Sequence, residues 1–214
     1  MKNKIDKKIN IVFFLGSFQI GGAEKLVLQI LSNIDRDRFN PFICVFDTDG
    51  GLQDEFMELN MPTYNFTYKK SLDAVSGFIR FILFLKKNKI DVLHVSLVGS
   101  YLFTTVGARI AGVKNIVLSW SNVYKLAYTK KHKHVWLGSR LAHKIIAISE
   151  IVKNENCAIY KIKQKKVQVV YCSVDTNFWK PTTRNTLQKK IIGTTGRLTP
   201  QKGYDVLLLA FNEV

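Results

Sequence analysis

Short apolar runs alternate with amphipathic stretches along most of this chain, and this alternation limits the fold more than any other feature. The runs are rich in β-branched and aromatic residues, and polar or turn residues bound most of them. Both properties are typical of buried strands in a parallel sheet. The clearest runs are Ile9–Leu15, Pro41–Phe46, Asp91–Val95, Asn115–Ser119, Lys144–Ile148 and Lys166–Val170, with a weaker one at Thr63–Phe66.

Helical stretches separate these runs. In the clearest one, residues 23–34, apolar side chains recur at i, i+3 and i+4, as on one face of a buried helix. Alternation of strands and helices predicts an α/β domain with a Rossmann-like, doubly wound parallel sheet of six or seven strands over about residues 9–170. The other predicted helices lie near Leu72–Lys87, Ser100–Ala111, Val135–Ala142 and Ser149–Tyr160.

The pattern changes near Ser173, so we predict a first domain over residues 1–172. Residues 173–190 are polar, include Pro181 and follow neither apolar period, which indicates an interdomain linker. Within residues 191–214, Ile191–Leu198 predict a strand that enters a loop, and Gly203–Val214 predict the helix that follows. One strand and one helix cannot bury a core, so we expect an incomplete second domain.

Positive charge dominates the chain. It has 32 Lys and Arg against 16 Asp and Glu, a formal net charge of +16. This excess favours an anionic partner such as a nucleotide phosphate or an acidic membrane, although a solvated basic surface is the simpler explanation. No nucleic-acid-binding module is recognisable, so we expect no nucleic acid partner. Cys44, Cys157 and Cys172 lack metal-ligand spacing, so we expect no metal and a reducing, cytoplasmic location.

We expect a chain that does not cross a membrane and that is either soluble or lies on a membrane surface. The longest apolar stretch, residues 78–85, is short and contains Arg80, and no secretory signal is visible. The segment Lys125–Lys144 interleaves six Lys and Arg with aromatic residues, and a second basic cluster spans Lys161–Lys166. These segments predict either docking on the anionic inner face of the plasma membrane or a solvated face near an anionic substrate.

The turn Gly16–Gly22 joins the first predicted strand to the first predicted helix. Ligands of open α/β sheets bind at the carboxyl ends of the strands, and Gly21 and Gly22 would let the backbone approach a phosphate at the helix N-terminus. A simple strand-to-helix turn is the alternative. The spacing is not G-x-G-x-x-G, which disfavours a nucleotide-cofactor oxidoreductase.

Two further motifs carry candidate site residues. In Gly196–Gly203, Arg197 and Lys202 follow a predicted strand and precede a helix, a suitable context for a diphosphate clamp or for two incidental cations. His94 falls inside a predicted strand, where an isolated histidine is more often a hydrogen-bonded core residue than a catalytic one.

In this order along the chain, the motifs resemble those of glycosyltransferase family 4, a group of GT-B enzymes. The resemblance covers nearly all 214 residues. It rests on Gly21–Glu24 (the glycine loop), Asp91–His94 (D-x-x-H), Ala147–Ser149 (the end of a strand), Val174-Asp175 with Phe178 and Pro181 (the linker), and Gly196–Leu198 with Lys202-Gly203 (the opening of the donor domain).

The resemblance implies a retaining hexosyltransferase that moves a sugar from a nucleotide-sugar donor to a glycan or lipid-linked acceptor in polysaccharide or lipopolysaccharide biosynthesis. It implies that Arg197 and Lys202 bind the donor diphosphate and stabilise the leaving group, so that neither a metal nor another cofactor is required. Gly21, Gly22, His94, Ser121 and Asn122 would line the cleft. No catalytic residue is assigned.

The sequence departs from the family pattern in three places. Ser121 and Asn122 stand where the family often has a histidine, and Cys172-Ser173 replaces a common Asn-Gly pair. The family's E-x7-E region has no counterpart within the 214 residues, so we expect the chain to be truncated and inactive alone. The alternative function is a non-catalytic module that binds the acceptor or a membrane and needs a partner chain.

Overall fold

The computed structural model describes residues 7–66, 71–124, 132–181 and 192–213. The chain divides into two compact units, Met1–Ser173 and Val174–Val214. The strands of the first unit are β1 Ile9–Phe14, β2 Phe39–Val45, β3 Thr63–Asn65, β4 Val92–Val95, β5 Asn115–Trp120, β6 Lys144–Ala147 and β7 Val167–Val169. Its described helices are α1 Gly22–Ser32, α2 Gln53–Glu58, α3 Ser71–Lys87, α4 Tyr101–Ala111, α5 His132–Leu141 and α6 Glu150–Tyr160.

The seven strands form one sheet in the order β3-β2-β1-β4-β5-β6-β7, and every neighbouring pair is parallel. The chain moves outward from β1 to β3 and then returns to the other side of β1 with β4. The strand order therefore reverses between β1 and β4, where open α/β sheets form a ligand crevice. The predicted Rossmann-like parallel sheet is confirmed, including the weaker strand at residues 63–65.

Both faces of the sheet are covered, as alternation along β1 shows. Val12 and Phe14 belong to one buried cluster, which α3, α4, α5 and α6 complete. Phe13 and Leu15 belong to a second buried cluster on the opposite face, beneath α1 and α2. Because successive side chains of a strand point to opposite faces, an unbroken apolar run predicts a strand buried on both sides.

Helix α2 was not predicted from the sequence. It spans only six residues, Gln53–Glu58, and Phe56 is its only buried side chain. A helix of this length shows no apolar period, and the packing of Phe56 on the sheet, rather than the local pattern, stabilises it.

The second unit contains a 3-10 turn, Pro200–Lys202, followed by helix α7, Tyr204–Phe211. The predicted helix is thus present. The predicted strand is wrong for residues 192–198, which form no strand. A strand needs a hydrogen-bonded neighbour, and the described part of this unit offers none. Residues 182–191 lie outside the described residues. The linker at 173–190 and the donor-binding assignment of 191–214 stay predictions.

Candidate functional site

The loops that follow β1, β4 and β5 lie at one edge of the sheet, because parallel strands all end on the same side. The first two flank the crevice at the strand-order reversal. They are in contact, since a Cβ atom on Gly16 would lie 3.1 Å from the Leu97 side chain. A ligand in this crevice would meet the loop between β1 and α1 first.

The loop between β1 and α1 is held in place by the buried side chain and the backbone of Phe18. Phe18 is fully buried, and its ring stacks on Phe56 with 4.4 Å between centroids. The Leu52 N–H donates to the Phe18 carbonyl at 2.8 Å. Gly50 has a φ of 153°, and a Cβ atom there would overlap the Phe18 backbone. Only glycine fits this close approach, which holds the loop against the segment that precedes α2.

Helix α1 begins at the exposed end of this loop. Gly21 is its N-cap in an extended conformation, and no side chain caps the first turn. A Cβ atom on Gly22 would meet no atom within 4 Å, whereas one on Gly21 would overlap the Glu24 carboxylate. The first turn of α1 therefore has N–H groups without a side-chain cap, open space beside Gly22 and the flexible Glu24 side chain next to Gly21.

His94 lies in β4, below this edge and in the core. It is 8% exposed, and its Nε2 atom is 2.7 Å from Ser119 Oγ on β5. Its ring packs edge-on against Phe13. Burial lowers the pKa of His94 to about 4, because an imidazolium would lose its hydration there. At neutral pH His94 is therefore an uncharged core residue paired with Ser119.

A buried hydrogen-bond network supports the loop after β5. The Ser119 carbonyl accepts hydrogen bonds from the Tyr101 and Tyr124 hydroxyls. Asn156 on α6 is fully buried; its Oδ1 accepts from the Tyr124 N–H at 3.1 Å, and its Nδ2 donates to the Asn122 carbonyl at 2.8 Å. These contacts fix the backbone where the chain leaves the sheet.

Ser121 and Asn122 occupy the exposed side of that loop. The Ser121 side chain is exposed, and its backbone N–H donates to the Tyr124 hydroxyl at 3.2 Å. The Asn122 side-chain oxygen accepts from the Val123 N–H at 2.8 Å. Ser121 is thus exposed at the edge where the strands end, while Asn122 is engaged with its own loop.

Arg197 and Lys202 belong to the second unit, and both are exposed. The Thr199 N–H donates to the Arg197 carbonyl at 2.9 Å, and the Lys202 N–H donates to the Thr199 carbonyl at 2.9 Å. Both cations are therefore on one tight turn, immediately before α7.

The structure groups the predicted residues by unit. Gly21, Gly22, Ser121 and Asn122 lie at the ligand-binding edge of the first unit, and His94 lies beneath it. Ser119, Tyr101, Tyr124 and Asn156, which organise that edge, were missed. Asn156 had a readable signal, since it lies on the buried face of α6 in line with Val152 and Tyr160.

Comparison with known proteins assigns the chain to a family. Residues 20–178 match the model of glycosyltransferase family 4. The chain belongs to glycosyltransferase family 4. A search of curated proteins gave no match.

Solved structures with the same fold include other glycosyltransferases. HepE from Anabaena, in complex with UDP and glucose, is 17% identical with a TM-score of 0.67, over 82% of this chain and 47% of HepE. The lipopolysaccharide outer core galactosyltransferase WaaB is 17% identical with a TM-score of 0.60, over 76% of this chain and 45% of WaaB. A glycosyltransferase from Rickettsia africae is 16% identical with a TM-score of 0.59, over 84% of this chain and 47% of its own.

These similarities identify the fold of this family 4 chain as that of a GT-B N-terminal domain. The chain spans about half the length of the structures that it matches. In the described residues, no helix is long and apolar enough to cross a membrane. Nor do His, Cys, Asp and Glu in that part of the chain form a group of three that could hold a metal ion.

Proposed function

We propose that this chain forms the acceptor-side domain and the start of the donor-side domain of a retaining hexosyltransferase. The enzyme transfers a sugar from a nucleotide-sugar donor to a glycan or lipid-linked acceptor in cell-surface polysaccharide or lipopolysaccharide biosynthesis. The family match carries this proposal. The structural similarity to HepE, solved in complex with UDP-glucose, supports a UDP-sugar as the first donor to test.

In this proposal the two units contribute different groups. The uncapped first turn of α1 offers backbone N–H groups, and Gly22 leaves open space, for a phosphate or sugar. Arg197 and Lys202 neutralise the diphosphate as negative charge develops on the leaving group, so the reaction needs neither a metal nor a cofactor. Ser121 lies where a hydroxyl can contact the transferred sugar.

The test is transfer activity of the native protein that carries this chain, with UDP-sugars as donors. Arg197→Ala removes charge-assisted contacts worth about 1.5–3 kcal/mol, so we expect kcat/KM to fall roughly ten- to a hundredfold. Arg80→Ala, an exposed arginine on α3, is the matched control and should keep full activity. An unchanged kcat/KM for Arg197→Ala would remove this residue from the donor site. Absence of transfer from every nucleotide sugar would overturn the proposal.

Gly22→Ala tests the first unit separately. Because the added methyl group meets no atom within 4 Å, the variant should fold with unchanged stability. A raised KM for the donor would then show that a ligand approaches Gly22 closely. We expect the 214-residue chain alone to transfer little or no sugar, since it spans about half of each enzyme that it matches. The anomeric configuration of the product, read by NMR, tests retention.

We also propose that the enzyme works in the cytoplasm, docked peripherally on the inner face of the plasma membrane. On α5, Lys133, Trp136 and Arg140 are exposed, and the Arg140 guanidinium lies 5.1 Å from the Trp136 ring centroid. The rest of the predicted docking segment, Lys125–Lys131, lies outside the described residues. Changing Lys130, Lys131 and Lys133 to Glu should abolish co-sedimentation with anionic vesicles, whereas equal recovery of the wild type with neutral vesicles would argue against docking.

A further inference from the structure

A concave basic surface lies at the edge of the sheet where the strands begin, opposite the edge that carries Gly22 and Ser121. It is an open depression formed by the end of α5, the start of β6 and the segment between α6 and β7, with a volume of about 460 Å³. Among the described residues, no Asp or Glu lines it. Its six cations are Arg140, Lys144, Lys161, Lys163, Lys165 and Lys166, and we call it the basic groove.

Part of this charge has a structural role. Lys166 Nζ donates to the Arg140 carbonyl at 2.8 Å. Arg109, beside the groove, donates from Nε and Nη2 to the Leu141 carbonyl at 2.9 and 2.6 Å. These carbonyls are at the C-terminal end of α5, where a helix has a partial negative charge and unpaired acceptors. The fold therefore accounts for Lys166 and Arg109.

The remaining lysines have no such role. Lys144, Lys161, Lys163 and Lys165 are exposed, and in the described part of the chain none of them forms an ion pair. The ion pair found there joins Lys153 to Glu150 on α6. Four exposed lysines thus line one concavity, and no described carboxylate lines it with them.

Two groups at the groove, Lys166 and His143, have pKa values lowered by burial and by neighbouring cations. Burial lowers the pKa of Lys166, and the nearby Arg109 and Arg140 lower it further. Burial, Arg109 and Lys166 likewise lower the pKa of His143. Positive charge from Arg109, Arg140 and Lys166 therefore disfavours the protonated forms of Lys166 and His143. A bound anion would relieve this repulsion.

The chemistry of the groove favours phosphate. His143 Nδ1 accepts a hydrogen bond from the Ile116 N–H at 3.0 Å, so the neutral ring carries its proton on Nε2 and keeps a donor. Lysine ammonium groups are mobile point charges that suit tetrahedral phosphate oxygens. One monovalent anion would leave most of the charge unbalanced, and the volume is in the range of small-molecule sites.

We propose that the basic groove binds a ligand with two adjacent phosphates, either a soluble diphosphate or the diphosphate headgroup of a lipid. The site is separate from the donor cleft, because one lies where the strands begin and the other where they end. The groove would bind this ligand whether or not the chain has the proposed transferase activity.

The test is calorimetric titration of the 214-residue chain with sodium pyrophosphate, without divalent cations. The double variant Lys163→Gln with Lys165→Gln removes two unpaired charges from the groove. The matched control, Lys86→Gln with Lys87→Gln, removes two exposed charges from the end of α3. We expect the dissociation constant to rise at least tenfold in the groove variant and less than twofold in the control. Lys144→Gln alone should give an intermediate loss, and thermal unfolding should be unchanged in all three.

Vesicles distinguish the two sources of the diphosphate. Phosphatidylcholine vesicles with and without a prenyl diphosphate are sedimented with each variant. Sedimentation that requires the prenyl diphosphate, is lost in the groove variant and is competed by pyrophosphate would assign the site to a lipid headgroup. Pyrophosphate binding without sedimentation would assign it to a soluble ligand. An equal loss of pyrophosphate binding in the groove and control variants, or no binding to the wild type at millimolar concentration, would overturn the proposal.

Discussion

The buried imidazole of His94 should make the stability of the first unit depend on pH. Nε2 contacts Ser119 Oγ at 2.7 Å, and Nδ1 has no hydrogen-bond partner within the described residues. Protonation would place a positive charge and an unpaired N–H in the core. Burial therefore lowers the pKa of His94 from 6.5 to about 4 in the folded chain.

The direction of the pH dependence follows from the number of protons that the folded and unfolded states bind. In the unfolded chain the histidine has its ordinary pKa, so between pH 6.5 and about 4 the unfolded state binds more protons than the folded state. The contribution of His94 is complete above pH 6.5 and is lost as the pH falls toward 4. From the two pKa values, the loss is about 2 kcal/mol between pH 7 and pH 5, and about 3 kcal/mol in full.

The assay is urea denaturation at about pH 7 and about pH 5, followed by tryptophan fluorescence. His94→Asn removes the titrating group, so we expect the wild type to lose about 2 kcal/mol more than the variant over this interval. His134→Asn changes an exposed histidine on α5 and should leave the wild-type pH dependence intact. Parallel pH profiles for wild type and His94→Asn would refute the conclusion that the folded core keeps this imidazole neutral.

Two further substitutions test the supports of the ligand-binding edge. Gly50→Ala should lower the free energy of unfolding by roughly 3 kcal/mol or more, because φ is 153° and the methyl group would overlap the Phe18 backbone. The control Gly112→Ala, at a φ of 81° in open space, should lower it by only about 1 kcal/mol. Equal melting temperatures for the two variants would contradict the packing argument. Asn156→Ala should lower the free energy of unfolding in urea by about 2–3 kcal/mol, because it removes the partner of the Tyr124 N–H and of the Asn122 carbonyl. The control is Asn154→Ala, at an exposed position of α6. A smaller loss of stability for Asn156→Ala than for this control would show that the two backbone groups find other partners.

The fold was predictable because the sheet is buried on both faces. Apolar runs such as Ile9–Leu15 then contrast with flanking polar turns, and helices such as Gly22–Ser32 show a clear apolar stripe. Prediction failed where contacts with distant residues, rather than the local sequence pattern, determine the secondary structure. Helix α2 depends on Phe56 packing on the sheet, and residues 192–198 form no strand in a unit whose described part offers no strand to pair with.

The candidate site was less predictable, because its supports join residues far apart in sequence. The glycine loop was recognisable from residues 16–22, but the close approach of Gly50 to Phe18 depends on tertiary packing. His94 was expected to be either a core residue or a cleft residue, and only its 8% exposure and its contact with Ser119 on the next strand place it in the core. The register between neighbouring strands determines such contacts, and it cannot be read from composition.

The positions of the cations distinguish donor binding from anion binding in the basic groove, which the net charge alone could not do. A charge of +16 is compatible with a nucleotide-sugar donor, but the predicted donor contacts are only Arg197 and Lys202. Six other cations line the basic groove, where the strands begin. The ligand crevice of the sheet lies where the strands end, so these six cannot contact a donor bound there. A donor diphosphate bound in the crevice therefore does not account for the charge of the groove, which agrees with the proposal that the groove binds a separate anion.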